Sequence, residues 1–377
     1  MRKLASIREI KEIRPIANAD SLELAIIDGW EVVVNKNEGF KVGDAVVYFE
    51  IDSVLPERPE FEFLRSKKFR IRTIKLRGAV SQGLVMPLTI LPRGYRVKLG
   101  DDVTEVLGAK KYEPHDEHPA AGTTTARERR GFLGGLMRFA WYRRLCSKLN
   151  PEPDTSFPSW IKKTDEERLQ NLSTAFEDWK SRDLKFSVTE KLDGCSATYF
   201  LDGRHFRVFS SAKLKKYIFG VCSRNKSLPV VDESAYWTVA MEYKLREAME
   251  YVALYREAKS VVVQGEIIGK KIQGDKYGLE PGRRYTYGFY VYNIFVDGKK
   301  LHSIDMEAEL GMYFRAQPVP LVARRVGLEA TISDMVALAR GKSTLADIKR
   351  EGLVWRNYDE NISFKVINPE FLLAYDE

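Results

Sequence analysis

The sequence predicts an α+β protein of two domains: a small β-barrel first, then a larger domain of antiparallel sheets with helices. Three observations predict it. A chain of 377 residues exceeds what one core usually serves. Its first part is a series of short β-rich runs broken by turn residues. Beyond residue 151, strand-like runs alternate with stretches whose apolar spacing suits amphipathic helices. A segment rich in Pro, Gly, Thr and Arg lies between, so the expected limits are 1–107, 108–150 and 151–377.

In the first domain, Trp30-Glu31-Val32-Val33-Val34 and Ala45-Val46-Val47-Tyr48-Phe49 read as strands. Asn35-Lys36-Asn37-Glu38-Gly39 and Val42-Gly43-Asp44 read as the turns around them. Phe69-Arg70-Ile71-Arg72-Thr73-Ile74 alternates with period two, which predicts a strand with Arg70 and Arg72 on one face. Gln82 to Pro87 closes another strand. Such a set suggests an OB-type barrel, the small barrel most often used on nucleic acid. The wording Pro15-Ile16-Ala17-Asn18-Ala19-Asp20-Ser21-Leu22 and Phe40-Lys41-Val42-Gly43-Asp44 resembles OB domains of the tRNA-binding kind. A barrel that only braces its neighbour is the plain alternative.

In the linker, His115 and His118 lack a nearby Cys, which favours a solvated linker over a metal site. Phe132 to Leu149 reads as a basic amphipathic helix, weakened by Gly131, Gly134 and Gly135. In the second domain, strands are expected at Phe186–Thr189, Ala197–Leu201, 261–268, 286–296, 352–356 and 362–367. The spacing of Trp237, Ala240, Met241, Leu245, Ala248, Met249 and Val252 predicts one helix between Glu233 and Ala258, and a second is expected around 304–316.

Charge narrows the partner. The chain carries 61 Lys and Arg against 53 Asp and Glu, a net +8. Two segments hold the excess. Residues 65–77 contain Arg65, Lys67, Lys68, Arg70, Arg72, Lys75 and Arg77 without an acid, and residues 127–148 contain a second Arg cluster. Local concentration of this kind suits a polyanion, with Arg70, Arg72 and Lys75 as candidate phosphate contacts. Three Cys without close spacing give neither a disulfide framework nor a zinc site. No apolar run approaches a membrane span, and the opening Met1-Arg2-Lys3 is too charged for a signal peptide. A cytoplasmic monomer without membrane contact is the expectation.

The chemistry starts at Glu190-Lys191-Leu192-Asp193-Gly194. On a strand, Lys191 and Asp193 point to the same side. A nucleophilic Lys must lose its proton, although its free pKa is ~10.4. Carboxylates alone would oppose that loss, whereas a divalent cation held by them would favour it. Further carboxylates follow at Glu266, in Gln264-Gly265-Glu266-Ile267, and at Glu351, in Glu351-Gly352-Leu353-Val354. Lys365, in Ser363-Phe364-Lys365-Val366, adds a late cation.

Lys-x-Asp-Gly alone is a weak signal. Followed in order by Gly-Glu, the aromatic strand Phe289-Tyr290-Val291-Tyr292-Asn293, Glu-Gly-Leu-Val and Phe-Lys-Val, it resembles the covalent nucleotidyltransferases, and within them the ATP-dependent RNA ligases. The resemblance covers about 160–370 and includes Lys163-Thr164-Asp165-Glu166-Glu167-Arg168-Leu169-Gln170-Asn171 and Gly269-Lys270-Lys271-Ile272-Gln273-Gly274-Asp275-Lys276-Tyr277. It implies a nucleotidyltransferase domain, with Lys191 taking AMP from ATP and Glu190 reading the adenine edge. It implies that Asp193, Glu266 and Glu351 hold the water shell of Mg2+ or Mn2+. Arg224, in Ser223-Arg224-Asn225, would touch the nucleotide sugar, Tyr292 would stack on adenine and Lys365 would meet the phosphates.

DNA ligases and capping enzymes usually carry an OB domain after this one. Here the OB-like segment comes first, as in one RNA ligase family, and Ser196 stands where those enzymes place Arg. The implied substrate is RNA with 5′-phosphate and 3′-hydroxyl ends, and nicked duplexes or DNA remain an alternative. A non-catalytic RNA-binding protein on this scaffold is the reading from another class. Two departures stand out: Asn293 where Asp is common, and a single Lys365 where many members have Lys-x-Lys, so Lys270 or Lys271 could supply further phosphate contacts. Gly220-Val221-Cys222-Ser223-Arg224-Asn225-Lys226-Ser227 fails as a phosphate loop because Asn225 replaces the second Gly.

Overall fold

The computed structural model describes residues 3–112, 155–203, 217–229, 234–279 and 285–375. The expected linker beyond Tyr112, the basic segment 127–148, the Phe132–Leu149 helix, His115 and His118 lie outside the described residues. Two compact units form. One comprises 1–115, 166–191 and 321–377, and the other 116–165 and 192–320.

The first unit holds the barrel segment and one further sheet. Ala5–Glu9, Ala45–Phe49 and Leu84–Met86 make one antiparallel set, and Glu12–Pro15, Leu22–Ile27 and Trp30–Asn35 another. The hairpin Thr73–Leu76 with Ala79–Gln82 completes this part. Alternation in Trp30–Asn35 buries Trp30, Val32 and Val34 in a core shared with Val47, Phe49 and Phe61. Gly83 takes φ +111, and a Cβ there would meet Tyr48 at 2.5 Å, so the stretch expected as a single strand to Pro87 breaks in two.

The strand expected over Phe69–Ile74 is a correction. It begins only at Thr73, after a 3-10 turn Pro59–Lys67 and left-handed backbone at Lys68 and Phe69. Period-two wording persists because Phe69 and Ile71 still bury in the barrel core. Arg70 shares no exposed face with Arg72. It is 9% exposed, donates to Asp52 at 2.9 Å and stacks over Tyr112 at 3.7 Å. Arg65 is drawn to Glu62 and Glu57 just upstream.

The same unit contains a five-stranded sheet ordered Glu167–Arg168, Ile362–Ile367, Gly352–Asn357, Phe186–Lys191 and Leu321–Val326. Phe186, Val188, Trp355, Phe364 and Val366 bury one face against helix Ile332–Ala339. A buried polar contact joins this sheet to the barrel: Glu50, 1% exposed, accepts from Asn171 at 3.1 Å and lies 3.8 Å from Arg168, which stands over Trp30. A carboxylate buried so deeply is tolerated because it is paired.

The second unit is a sheet ordered Ser227–Leu228, Ile218–Cys222, Cys195–Asp202, Ser260–Ile268, Gly288–Val296 and Lys299–Lys300, with Gln317–Pro318 parallel to Gly288–Val296. Helices Ala235–Glu242, Leu245–Tyr255 and Ser303–Tyr313 contribute to its core. The single helix expected between Glu233 and Ala258 is two helices, because Lys244 turns left-handed at φ 50. Tyr243 forces the break: its hydroxyl donates to Tyr287 O at 2.9 Å and its ring stacks on Tyr285. No described helix is long and apolar enough to cross a membrane.

Candidate active site

In the first unit, strand Phe186–Lys191 alternates buried and part-buried residues. Phe186 and Val188 enter the core, whereas Ser187, Thr189 and Lys191 take the other face. Register pairs Lys191 with Gly352, Thr189 with Val354 and Val354 with Lys365. Cross-strand partners share a face, so Lys191 and Lys365 lie on the face away from the aromatic core. Gly352 permits this pairing, since a Cβ would come within 2.3 Å of Val366 O.

Glu351 precedes that glycine, and its Oε1 accepts from Lys191 Nζ at 2.5 Å. It does not pair with Arg350, whose guanidinium donates instead to the carbonyls of Leu338, Ala339 and Arg340 at a helix C-terminus. Arg356, 4% exposed on the Lys365 face, is held by Thr189 Oγ1 and Glu166. Glu190 points the opposite way from Lys191 and is 1% exposed. Its Oε2 accepts from the Thr344 backbone N–H at 2.9 Å and from the Thr344 hydroxyl at 2.7 Å. Its Oε1 is buried without a hydrogen-bond partner. A buried acceptor of that kind calls for a donor from elsewhere.

The second unit carries the remaining residues. The turn after Lys191 is clasped: the Asp193 N–H donates to the Tyr277 hydroxyl at 2.8 Å, and the Gly194 N–H donates to Glu266 Oε1 at 3.1 Å. Gly194 is required there, since a Cβ would stand 2.3 Å from Ile267 O. Lys276 forms an ion pair with the Asp193 carboxylate. Lys270 and Lys271, expected as possible phosphate cations, are exposed. Ser196 lies opposite Glu266 in register, and its hydroxyl is 2.7 Å from that of Tyr292.

A bulge between Gln264 and Gly265 leaves Tyr292 unpaired in the ladder. It turns consecutive Tyr292 and Asn293 toward the Ser196 and Gln264 side chains. Asn293 Nδ2 donates to Gln264 Oε1, and Gln264 Nε2 donates to Lys162 O. An Asn at this position therefore fits a buried amide chain. Arg224 lies on the exposed loop between Ile218–Cys222 and Ser227–Leu228 and pairs with Asp165 at 2.9 Å. Burial pushes the Cys195 and Cys222 thiols up to about 11, with Glu266 adding to the effect at Cys195.

Among the described residues, no group of three or more His, Cys, Asp and Glu is gathered as a direct metal cage. The donor chemistry still fits a hard divalent cation, because Asp193, Glu266 and Glu351 offer only carboxylate oxygens. Such an ion would keep its own waters, as Mg2+ commonly does.

An OB-fold domain family matches residues 4–88, and the RNA ligase family matches residues 184–367. No curated protein sequence matches. The structure is similar to that of a Naegleria gruberi RNA ligase solved with pyrophosphate: 34% identity, TM-score 0.75, with 99% of this chain and 98% of that one covered. It is similar to mutants of that ligase with AMP and manganese, and with ATP and manganese, each at 33% identity, TM-score 0.76 and 98% of both chains covered. This chain belongs to the RNA ligase family. The ligase thus has its OB-fold domain ahead of the ligase domain, as the order of the motifs implies. Sequence reading gave no role to Thr344, and it gave none to Lys276, Tyr277 and Arg356 although they lie inside the ligase-like runs. The signal for Lys276 and Tyr277 was their place at the end of the run Gly269–Tyr277, and for Arg356 its place in Glu351-Gly352-Leu353-Val354-Trp355-Arg356.

Proposed function

We propose that this ligase joins a 3′-hydroxyl to a 5′-phosphate of RNA, using ATP and a divalent cation through an adenylated Lys191. The observation that carries the reading is the pairing of Lys191 with Glu351, where two ligase motifs meet on adjacent strands. Covalent connection makes Asp193 a neighbour of Lys191, two positions on.

In the first step the Lys191 amine, having given up a proton, attacks the α-phosphorus of ATP. A P–N bond forms, and the P–O bond to pyrophosphate breaks. A 5′-phosphate oxygen of RNA then attacks the same phosphorus, the P–N bond breaks and Lys191 recovers a proton. Last, the RNA 3′-hydroxyl attacks the activated 5′-phosphorus, closing a phosphodiester and releasing AMP. Glu351 orients Lys191 for the first attack. Glu190 Oε1 accepts from the adenine amine, Tyr292 stacks on the ring and Arg224 reaches the sugar. Lys365 faces the phosphates and stabilises charge as it builds. Asp193, Glu266 and Glu351 would hold a divalent cation, whose positive charge would favour the neutral amine and the leaving group. Exposed Lys67, Lys68 and Lys75, with part-buried Arg72, offer the RNA backbone a salt-sensitive grip.

The test is incubation with α-labelled ATP and Mg2+ or Mn2+, followed by denaturing electrophoresis. Label should stay on the protein, vanish with chelator, and pass to 5′-phosphorylated RNA. A protein that takes no label under these conditions is not a ligase of this mechanism.

A further inference from the structure

Each catalytic carboxylate that shows an ion pair is held by a lysine of its own unit. Glu351 is held by Lys191, and Asp193 by Lys276. The first pair is intrinsic to the nucleophile. The second has no role in the chemistry above.

The segment carrying Lys276 has two parts that behave differently. Lys271, Gln273, Gly274, Asp275 and Gly278 all take left-handed backbone, so the turn follows a path set by its own dihedrals. Tyr277, 6% exposed, anchors it by accepting the Asp193 N–H. Lys276, by contrast, is a flexible stem bearing a compact, strongly hydrated charge. The backbone is pinned and the ammonium can swing. Side chains of Lys276 and Asp193 are only 16% and 19% exposed. Removing one partner of a part-buried pair without replacement leaves a partly desolvated charge unpaired, which is unfavourable. Lys276 therefore leaves Asp193 only when another cation takes its place.

The sequence adds a second reason. The last ligase motif has one lysine, Lys365, with Ser363 and Ile367 where a further cation could stand, and Lys270 and Lys271 are exposed. A triphosphate whose β- and γ-groups depart as pyrophosphate needs positive charge beyond the α-phosphate.

We propose that Lys276 is an exchangeable counter-ion: it holds Asp193 in the empty enzyme, yields that carboxylate to the hydrated divalent cation, and moves to the β- and γ-phosphates of ATP. The proposal rests on the ligase reading above. Lys276 then serves protein adenylation and has no phosphate to meet when a pre-adenylated RNA end is sealed.

Two measurements on the full chain test it. In the wild type, acetic anhydride labelling read by peptide mass spectrometry should show Lys276 several-fold more reactive with Mn2+ alone. Adding an α,β-methylene ATP analogue should protect it again. In Lys276→Gln, Mn2+ binding without nucleotide, followed by electron paramagnetic resonance, should tighten several-fold because Asp193 is released. The KM for ATP in adenylation should rise about tenfold, the scale of one charge-assisted hydrogen bond removed. Sealing of pre-adenylated RNA should stay near wild type, and Lys276→Arg should recover part of the adenylation. A purely structural role predicts weaker Mn2+ binding and equal loss in both steps. Lys276 reactivity indifferent to Mn2+, or a Lys276→Gln enzyme impaired equally in adenylation and sealing, overturns the proposal. Wild-type protein that takes no label from ATP would instead defeat the ligase reading itself.

Discussion

Lys191 Nζ lies 2.5 Å from Glu351 Oε1 although 160 positions separate them in the chain. The strand register that places Lys191 opposite Gly352 makes the meeting unavoidable, because Glu351 is the residue just before it. Holding the ammonium there fixes its direction before ATP arrives, and it also sets a requirement. The attack proposed for Lys191 requires the amine to shed its proton beside a carboxylate, which a cation near Glu351 would ease.

Lys191→Ala should abolish protein labelling by α-labelled ATP altogether. Glu351→Gln, which keeps shape and loses charge, should retain the fold and adenylate about a hundredfold more slowly, the scale of a misoriented nucleophile. Labelling that persists in Lys191→Ala would remove the nucleophile assignment.

Thr344 gives two hydrogen bonds to one oxygen of Glu190, and the other oxygen is buried without a hydrogen-bond partner. Thr344→Val deletes one of them. Hydrogen bonds to charged groups contribute about 1.5–3 kcal/mol, so the KM for ATP should rise roughly tenfold or more and discrimination against GTP should fall. The maximal adenylation rate should hold. A variant with unchanged KM and unchanged GTP rejection would show that Thr344 does not position Glu190 for the adenine contact proposed above.

Gly194→Ala puts a methyl group against Ile267 O, and the turn bearing Asp193 must open. Adenylation should drop about a hundredfold, with circular dichroism unchanged. Gly311→Ala is the control: it lies in helix Ser303–Tyr313 with nothing within 4 Å of the new Cβ, and it should stabilise by about 0.5–1 kcal/mol. Full activity in Gly194→Ala would contradict the clasped turn.

Arg70 and the exposed cations of 65–77 should separate in two assays. Arg70→Ala breaks a half-buried pair with Asp52 and a stack on Tyr112, so it should lower Tm, at a cost of about 1.5 kcal/mol, the lower end for a hydrogen bond to a charged group. Lys67, Lys68 and Arg72 changed together to Ala should leave Tm alone. They should reduce the salt dependence of RNA binding by ~0.7 in slope for each phosphate that is no longer neutralised, and leave Lys191 adenylation nearly intact. An unchanged salt slope would take the RNA grip away from this segment.

Burial holds the thiols of Cys195 and Cys222 at about 11, above the ordinary ~8.5. The unfolded chain therefore ionises them first. The stability they contribute is complete below pH ~8.5 and is lost as pH rises toward 11. At pH 8 neither should react with a disulfide reagent until denaturant is added, a point that thiol titration followed by peptide mapping decides. Fast reaction of Cys195 in the folded protein would mean that its strand opens readily.

Much of this ligase was legible before any coordinates. Covalent order alone declares Lys191-Leu192-Asp193-Gly194, Gly265-Glu266, Glu351-Gly352 and the late Phe364-Lys365. Alternation declares the strands that carry them, since a half-buried strand must bury every second residue. Both are local properties, set within a few residues. What the tertiary structure decided was partnership. Helical spacing ran unbroken through Tyr243, whose hydroxyl, tied to the sheet, split the helix. Arg70 read as a surface cation until Asp52 and Tyr112 closed on it. Lys276 and Asp193 are 83 positions apart, and Thr344 and Glu190 are 154 apart. Charge and hydrogen-bond capacity belong to a residue type and can be read in sequence. The partner that satisfies them is chosen only when folding brings distant segments together, because burial leaves no water to take its place.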